Sequence, residues 1–235
     1  MSFLNAEWRK LAFANYEVDP SVLQKYVPAG TELDLWDNRC FVSLVGFMFM
    51  NTKLLGLRIP FHTNFEEVNL RFYVKRLENG VWKRGVVFIS EIVPKPALTW
   101  VARVVYKEHY ETLPMRHKWE EDETNRTVEY QWKKNKKWHQ FKVVADLETS
   151  EIAKNGEIEF ITEHYWGYAH VNEQRTNEYE VTHPRWLKYE VSSYEIGVDF
   201  GDVYGPDFEF LNTLEPSTVM LAEGSEITVE GKRSI

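Results

Sequence analysis

The sequence predicts an α+β protein built on a large, curled, mostly antiparallel sheet with helices at its side or end, and three observations carry that reading. Of the 235 residues 43% are hydrophobic and 15% aromatic, with 9 Trp, 12 Tyr and 14 Phe. Such a load suits sheets better than helices and can bury a sizeable core. Asn79-Gly80 separates two β-rich runs, "NFEEVNLRFYVKRLE" and "VWKRGVVFISEIV". Both residues tolerate positive φ, so the runs are expected to pair as an antiparallel hairpin. Along the whole chain, about ten strand-like segments stand against two or three helical ones, which favours sequential hairpins in a sheet that curls or closes.

In chain order, "KLAFANYEVD" opens as a strand. "DPSVLQKYV" reads as a short helix with Asp19 as its N-cap and Pro20 at its first position. "ELDLW" and "CFVSLVGFMFMN" follow as strands, and the second, apolar on both faces, belongs at the centre of the sheet. After the hairpin, "PALTWVARVVYKEHY" is the best helix, with Leu98, Val101, Ala102 and Val105 near the 3.6-residue period. Further strands are expected at "MRHKWEED", "TVEYQWKK", "WHQFKVVA", "WGYAHVN", "TNEYEVTH", "LKYEVSSYEI" and "EITVEG", and a short helix at "GEIEFIT". No repeat, low-complexity linker or Pro/Gly hinge divides the chain, so residues 1–235 are expected to form a single domain.

The net charge of -8 argues against nucleic-acid binding, which needs a basic footprint. "QWKKNKKWHQFKVV" interleaves Lys with Trp, but it reads better as a hairpin tip at Lys134-Asn135-Lys136 whose lysines keep an edge soluble. Cys40 is the one cysteine. It opens an apolar strand, reads as a buried, inert thiol, and excludes an intramolecular disulfide framework. The N-terminus lacks the pattern of a signal peptide, and no run reaches the ~18 apolar residues of a membrane span. A soluble, cytoplasmic protein without membrane association is expected. None of the 7 His sits at a tight ligand spacing, and no P-loop, G-x-G-x-x-G or G-x-S-x-G is present. No metal or cofactor is therefore expected.

The run "NFEEVNLRFYVKR" carries the functional signal. In a strand, Val68, Leu70, Phe72 and Val74 share one face, and Glu67, Asn69, Arg71 and Tyr73 share the other. Glu67 and Arg71 lie ~13 Å apart along the strand, so each needs a partner on a neighbouring strand or in a ligand. A solvated sheet face and a pocket wall are both open on spacing alone. Lys107, beside Glu108 and His109, is a candidate Schiff-base lysine if buried and a solvated helix-end lysine otherwise.

"FEEVNLRFYV", "RGVVFISEIV", "LTWVARVVY" and "YEVTHPRW" together resemble the YqjF-like family of bacterial proteins of unknown function, from about Trp8 to about Trp186. That family is grouped with the acetoacetate decarboxylase-like fold. The resemblance therefore implies an antiparallel β cone or partly closed barrel around a polar-lined cavity. It moves the polar face of the strand from surface to cavity wall. The decarboxylase proper carries a lysine pair in a motif of the type "GRExWGFPKK". The matching stretch here is similar to "ARVVYKEHYE", in which Ala102-Arg103 falls on Gly-Arg and the lysine pair falls on Tyr110 and Glu111.

Three functional readings follow. In the first, the cavity binds a small polar or carboxylate molecule: Arg71 and Arg103 orient the anion, Asn69 helps to read it, Glu67 or Glu91 serves as acid or base, and Tyr110 donates a hydrogen bond. In the second, the chain is a non-catalytic structural or interaction module whose polar strand is an interface or a ladder of internal salt bridges. In the third, Lys107 forms a Schiff base with a keto acid. Free sheet edges leave a homo-oligomer open.

Overall fold

The computed structural model describes residues 2–235. Asn79 and Gly80 adopt φ of 51° and 79°, the left-handed pair that a tight hairpin between right-twisted strands requires. They join β4 (Phe65–Glu78) to β5 (Val81–Val93) in antiparallel register, Leu77 opposite Trp82. The chain reaches this hairpin through β1 (Leu4–Val18), the short helix α1 (Pro20–Leu23), β2 (Glu32–Leu33) and β3 (Cys40–Leu54). Asp19 caps α1 by accepting a 2.8 Å bond from the Ser21 amide, with Pro20 in the first turn, as the sequence predicts.

Beyond β5 come α2 (Pro96–Val101), β6 (Tyr110–Thr112), β7 (Met115–Glu121), β8 (Asn125–Lys134), β9 (Lys137–Glu151) and α3 (Glu157–Thr162). They are followed by β10 (Trp166–Asn172), β11 (Arg175–Thr182), β12 (Leu187–Gly197), α4 (Phe200–Tyr204), β13 (Thr218–Val229) and β14 (Arg233–Ser234). The order β11-β10-β5-β4-β3-β1-β13 runs across the sheet, and β13 then pairs back onto β11 through Val181↔Val229 and Thr182↔Thr228. The result is a partly closed ring. From β13 the sheet continues through β12, β9, β8 and β7, and this arm packs over the outside of the ring.

The alternation of β4 divides the molecule. Val68, Leu70, Phe72 and Val74 pack with Val128, Tyr130, Trp132, Phe141 and Val143 of the outer arm. Tyr73, on the opposite face, joins Phe13, Phe41, Val45 and Phe160 in the inner cluster. β3 is buried on both faces along most of its length, as its unbroken apolar run requires. Among the described residues no helix is long and apolar enough to cross a membrane.

The structure corrects several expectations. The helix from Pro96 is short: after Val101 it widens into a π-type turn, Ala102–Tyr106, and stops at Lys107, whose φ of 67° cannot continue a right-handed helix. The backbone after it pairs in parallel with β5, Glu91 opposite Tyr110. A second parallel pairing, Trp166 opposite Gly85, joins β5 to β10, so the sheet is not built from sequential hairpins alone. The strands exceed the expected ten, and the helical turns Phe200–Tyr204 and Pro206–Thr213 were not expected.

The two layers approach closely where Gly46 of β3 faces Tyr130 of β8: a Cβ on Gly46 would lie 2.7 Å from Tyr130 Cδ2. The Tyr130 ring has no room to retreat, being fully buried with its hydroxyl donating to the Lys10 carbonyl at 2.8 Å. Gly46→Ala is expected to destabilise the protein by about 1–3 kcal/mol through overpacking. Gly231→Ala, where nothing lies within 4 Å, should stay within about 0.5 kcal/mol of the parent. Urea unfolding of the two variants checks this, and equal midpoints would remove the close contact as an account of Gly46.

Candidate functional site

The inner face of β4 turns Glu67, Asn69 and Arg71 into a cavity of about 150 Å3 inside the ring. All three are buried, at 2%, 1% and 7% exposure. Register brings the other groups to them. β5 places Glu91 opposite Asn69, and the parallel pairing of β6 places Tyr110 opposite Glu91. The Tyr110 hydroxyl thereby reaches Glu67 Oε2 at 3.1 Å, while Asn69 Nδ2 donates to Glu67 Oε1 at 3.0 Å. Glu108, just past the left-handed turn at Lys107, is a further buried carboxyl; the Tyr179 hydroxyl of β11 donates to its Oε1 at 2.8 Å. Asn177 Nδ2 holds the Tyr106 carbonyl at 2.8 Å and ties this turn to β11. Trp8, Phe47, Phe49, Phe65, Leu98 and Trp186 supply apolar wall.

Burial sets the protonation of the three carboxyls. It pushes Glu67 up to about 7, against the hydrogen bonds from Asn69 and Tyr110 and the charge of Arg71. It pushes Glu108 up to about 7 against the bond from Tyr179, with the Glu67 charge adding to the rise. Glu91 is driven well above the carboxylate range by burial first, then by the charges of Glu108 and Glu67. Groups so close in a dry site cannot all ionise, so the cluster holds protons at neutral pH. Tyr110 is pushed well above the usual phenol range by burial and by Glu67 and Glu91, so its hydroxyl remains a donor.

Arg71 forms no ion pair with these acids among the described residues, although its charge acts on Glu67 and Glu91. Its guanidinium lies over the Phe13 ring at 5.1 Å and the Tyr73 ring at 5.8 Å. Its Nε has no hydrogen-bond partner, and it makes no ion pair among the described residues. Trp8 Nε1, Asn69 Oδ1, Glu91 Oε2 and His164 Nδ1, also on cavity-lining residues, are likewise buried without a partner. A buried cation and several buried polar atoms left unpaired are costly, and such groups are retained where something else pairs with them.

Of the residues singled out in the sequence, Glu67, Asn69, Arg71, Glu91 and Tyr110 meet in the cavity. Arg103 does not: it is exposed, and its Nε donates to the Tyr110 carbonyl at 2.6 Å, bracing the turn from outside. Lys107 does not either. It is exposed at the left-handed turn, and no lysine lines the cavity, which removes the Schiff-base reading. The cavity face of β4 is not a ladder of internal salt bridges, since Glu67, Arg71, Glu91 and Glu108 make no ion pairs among the described residues. Sequence reasoning missed Glu108, Tyr179, His164 and Trp8. Glu108 was legible only if the helix ended at Lys107. The others come from strands and loops that meet through ring closure, which leaves no local signal.

Comparison with known proteins bears on the fold. The DUF2071 family, described as an uncharacterized conserved protein, matches residues 5–226. Over 84 residues the chain is 36% identical to the uncharacterized protein YqjF of Bacillus subtilis (strain 168), covering 35% of this chain and 33% of that protein. The match therefore spans about a third of that relative's length. Acetoacetate decarboxylase from Legionella pneumophila subsp. pneumophila str. Philadelphia 1 superposes with a TM-score of 0.65 at 13% identity, over 98% of this chain and 86% of that one. An acetoacetate decarboxylase-like enzyme from Sphingomonas wittichii RW1 gives 0.67 at 11% identity, over 100% and 93%. The enduracididine biosynthesis enzyme MppR, complexed with pyruvate, gives 0.69 at 13% identity, over 100% and 91%. At these identities the likeness shows the fold alone. The chain belongs to the DUF2071 family and has the acetoacetate decarboxylase-like fold.

Proposed function

We propose that the chain binds a small monocarboxylate inside the ring, with Arg71 holding the carboxylate and the protonated acids Glu67, Glu91 and Glu108 forming a wall able to exchange protons with it. The single observation that carries this reading is the buried Arg71 guanidinium without a counter-charge. A guanidinium in a dry cavity is matched by a carboxylate in bidentate geometry. The volume of about 150 Å3 is of the size that accommodates a benzene ring, so the ligand is an acid of a few carbons or one carrying a single ring. Glu67, near 7, can give or take a proton at neutral pH, which is where acid–base catalysis works best. Pyruvate, the ligand named for MppR, is of the proposed class. Without a cavity lysine, covalent chemistry through an imine is not part of the proposal.

Calorimetric titration with acetate, pyruvate, lactate and phenylacetate tests it. At least one is expected to bind, and Arg71→Met is expected to lose that binding while melting no lower than the parent, because it removes a buried unpaired charge. Affinity should fall as pH rises from about 6 to 8, since ionising Glu67 and Glu108 places negative charge beside the anion. Retained binding in Arg71→Met, or none across the panel in the parent, would sink the proposal.

Stability carries its own signature. The folded Glu67 carboxyl titrates near 7 against 4.5 for an unperturbed glutamate, so the folded state binds the extra proton between those values. The stability it contributes is full below about 4.5 and is lost as pH rises through about 7, by at most about 3 kcal/mol. Glu67→Gln should abolish that share. Subtracting its stability curve from the parent's cancels the opposite trend from acids held low, such as Asp34. A difference curve flat between pH 4.5 and 7 would refute the assigned protonation.

A further inference from the structure

Outside the β4 cluster, a second polar group reaches the same cavity through His164. Asp34, just after β2, is anchored to β4 by its amide, which donates to the Tyr73 carbonyl at 3.0 Å. Its carboxylate is buried at 5% exposure. Arg84 Nε donates to Oδ2 at 2.6 Å, and Lys75 Nζ lies 3.6 Å from Oδ1. Burial alone would raise this acid, but the hydrogen bonds from His164 and Arg84 outweigh it and hold Asp34 at about 2. It is an anion at every ordinary pH.

His164 sits in the loop between α3 and β10, 7% exposed, with its Nε2 3.2 Å from Asp34 Oδ2. Arg84 Nη2 lies 3.4 Å from the same nitrogen. The carboxylate is both nearer and the stronger director, so the proton sits on Nε2 and points at Asp34. Burial holds the ring down to about 4, so it is neutral at pH 7. Nδ1 is therefore a bare lone pair, and it is buried without a partner. The imidazole lines the cavity and packs on Tyr73, with ring centroids 4.7 Å apart, and Tyr73 is also the ring under the Arg71 guanidinium. The acceptor on His164 and the donor on Arg71 thus border one aromatic ring. Asn69 offers a second free acceptor, because its Nδ2 is spent on Glu67 and its Oδ1 has no partner.

Beside the Arg71 cation, His164 Nδ1 and Asn69 Oδ1 are acceptors that require a donor, while Trp8 Nε1 and protonated Glu91 are unpartnered groups able to donate to the ligand's carboxylate. A 2-oxo acid brings acceptors only, and its carbonyl would set lone pair against lone pair at Nδ1. A hydroxyl both donates and accepts. An ammonium also donates, but it would need an ionised partner, which Glu67 and Glu108 supply in full only above about pH 7, Glu91 being held protonated. Resting on the Arg71 reading above, we infer that the cavity is built for a 2-hydroxy acid rather than a 2-oxo acid, with His164 Nδ1, oriented by Asp34, accepting the hydrogen bond of the ligand's hydroxyl. Asp34 acts here as a positioning residue.

Discrimination of this kind is large when a site built for a hydroxyl meets an analogue lacking it, because the buried acceptor is left unpaired. Titration calorimetry with lactate (each enantiomer) against pyruvate, and 3-phenyllactate against phenylpyruvate, should show the hydroxy acid binding about tenfold tighter or more within at least one pair. His164→Phe should bring that pair close to parity, chiefly by weakening the hydroxy acid. Asp34→Asn, which cannot enforce the Nε2–H tautomer, should shrink the preference as well. Imidazole 15N shifts of the parent should report neutral His164 protonated on Nε2, and that reading stands even if His164→Phe fails to fold. Binding of both members without preference, tighter binding of the 2-oxo acid or of alanine, a preference that survives both substitutions, or a proton on Nδ1 would each overturn this inference and leave the Arg71 reading intact. Absence of binding by every acid would overturn both.

Discussion

The seam between β11 and β13, two residue pairs long, is the constraint on which the rest of the structure depends. Until it closes, the inner face of β4 is an open sheet face, and Glu67, Asn69 and Arg71 can keep their water. Once closed, the same side chains enclose a cavity, lose solvent and shift their protonation. So short a seam needs support from its flanks. The Glu230 amide donates to the Glu180 carbonyl at 2.9 Å, and the Phe3 amide to the Val229 carbonyl at 2.9 Å. Fully buried Glu178 gathers Arg76 at 3.1 Å, Lys83 at 3.3 Å and Arg233 at 2.6 Å, drawing β4, β5 and β14 onto β11. A buried acid with three cations is satisfied many times over and closes the wall. The unpaired groups remain on the inside.

Burial has opposite consequences for the two kinds of charge inside the ring. Carboxyls answer desolvation by taking protons, as Glu67, Glu91 and Glu108 do. Arginine has no such escape, because its guanidinium stays protonated in proteins. The cavity therefore holds a fixed cation beside neutral acids, instead of the mutual ion pairs that the same residue types would form at a surface. That asymmetry separates this cavity from an internal salt-bridge network, and it could not be read from the residue types alone.

Much of the fold was legible in the sequence for local reasons. Asn79-Gly80 and Lys134-Asn135-Lys136 form their turns because φ is positive at Asn79, Gly80, Asn135 and Lys136, and β3 is buried on both faces because nothing polar interrupts it. The alternation of β4 assigned each side chain to the face it occupies. What was not legible depended on long-range pairing. The helical period from Leu98 continues past Val101, and the chain turns at Lys107 where long-range contacts hold it, Tyr110 paired with Glu91 and Asn177 on the Tyr106 carbonyl. Ending the helix there moved Arg103 and Lys107 outside and carried Glu108 inside. His164 and Asp34 lie far apart in sequence, and their contact comes from the packing of β10 beside β5 and of β2 beside β4.

Tyr110 owes its surroundings to strand pairing beside Glu91. The resemblance in sequence puts a lysine pair at Tyr110 and Glu111. The parallel pairing of β6 with β5 still delivers residue 110 to the cavity beside Glu91, while Glu111 turns away to Lys134 at 2.8 Å. A lysine there would be a nucleophile lowered toward neutrality by a dry site. A phenol in the same place is shifted the other way, up and away from ionisation, so it stays a neutral hydroxyl that hydrogen-bonds and does not attack. On the reading proposed above, the donor at 110, the cation at 71 and the titratable acids of the cavity hold an anion and exchange protons with it, all through reversible bonds.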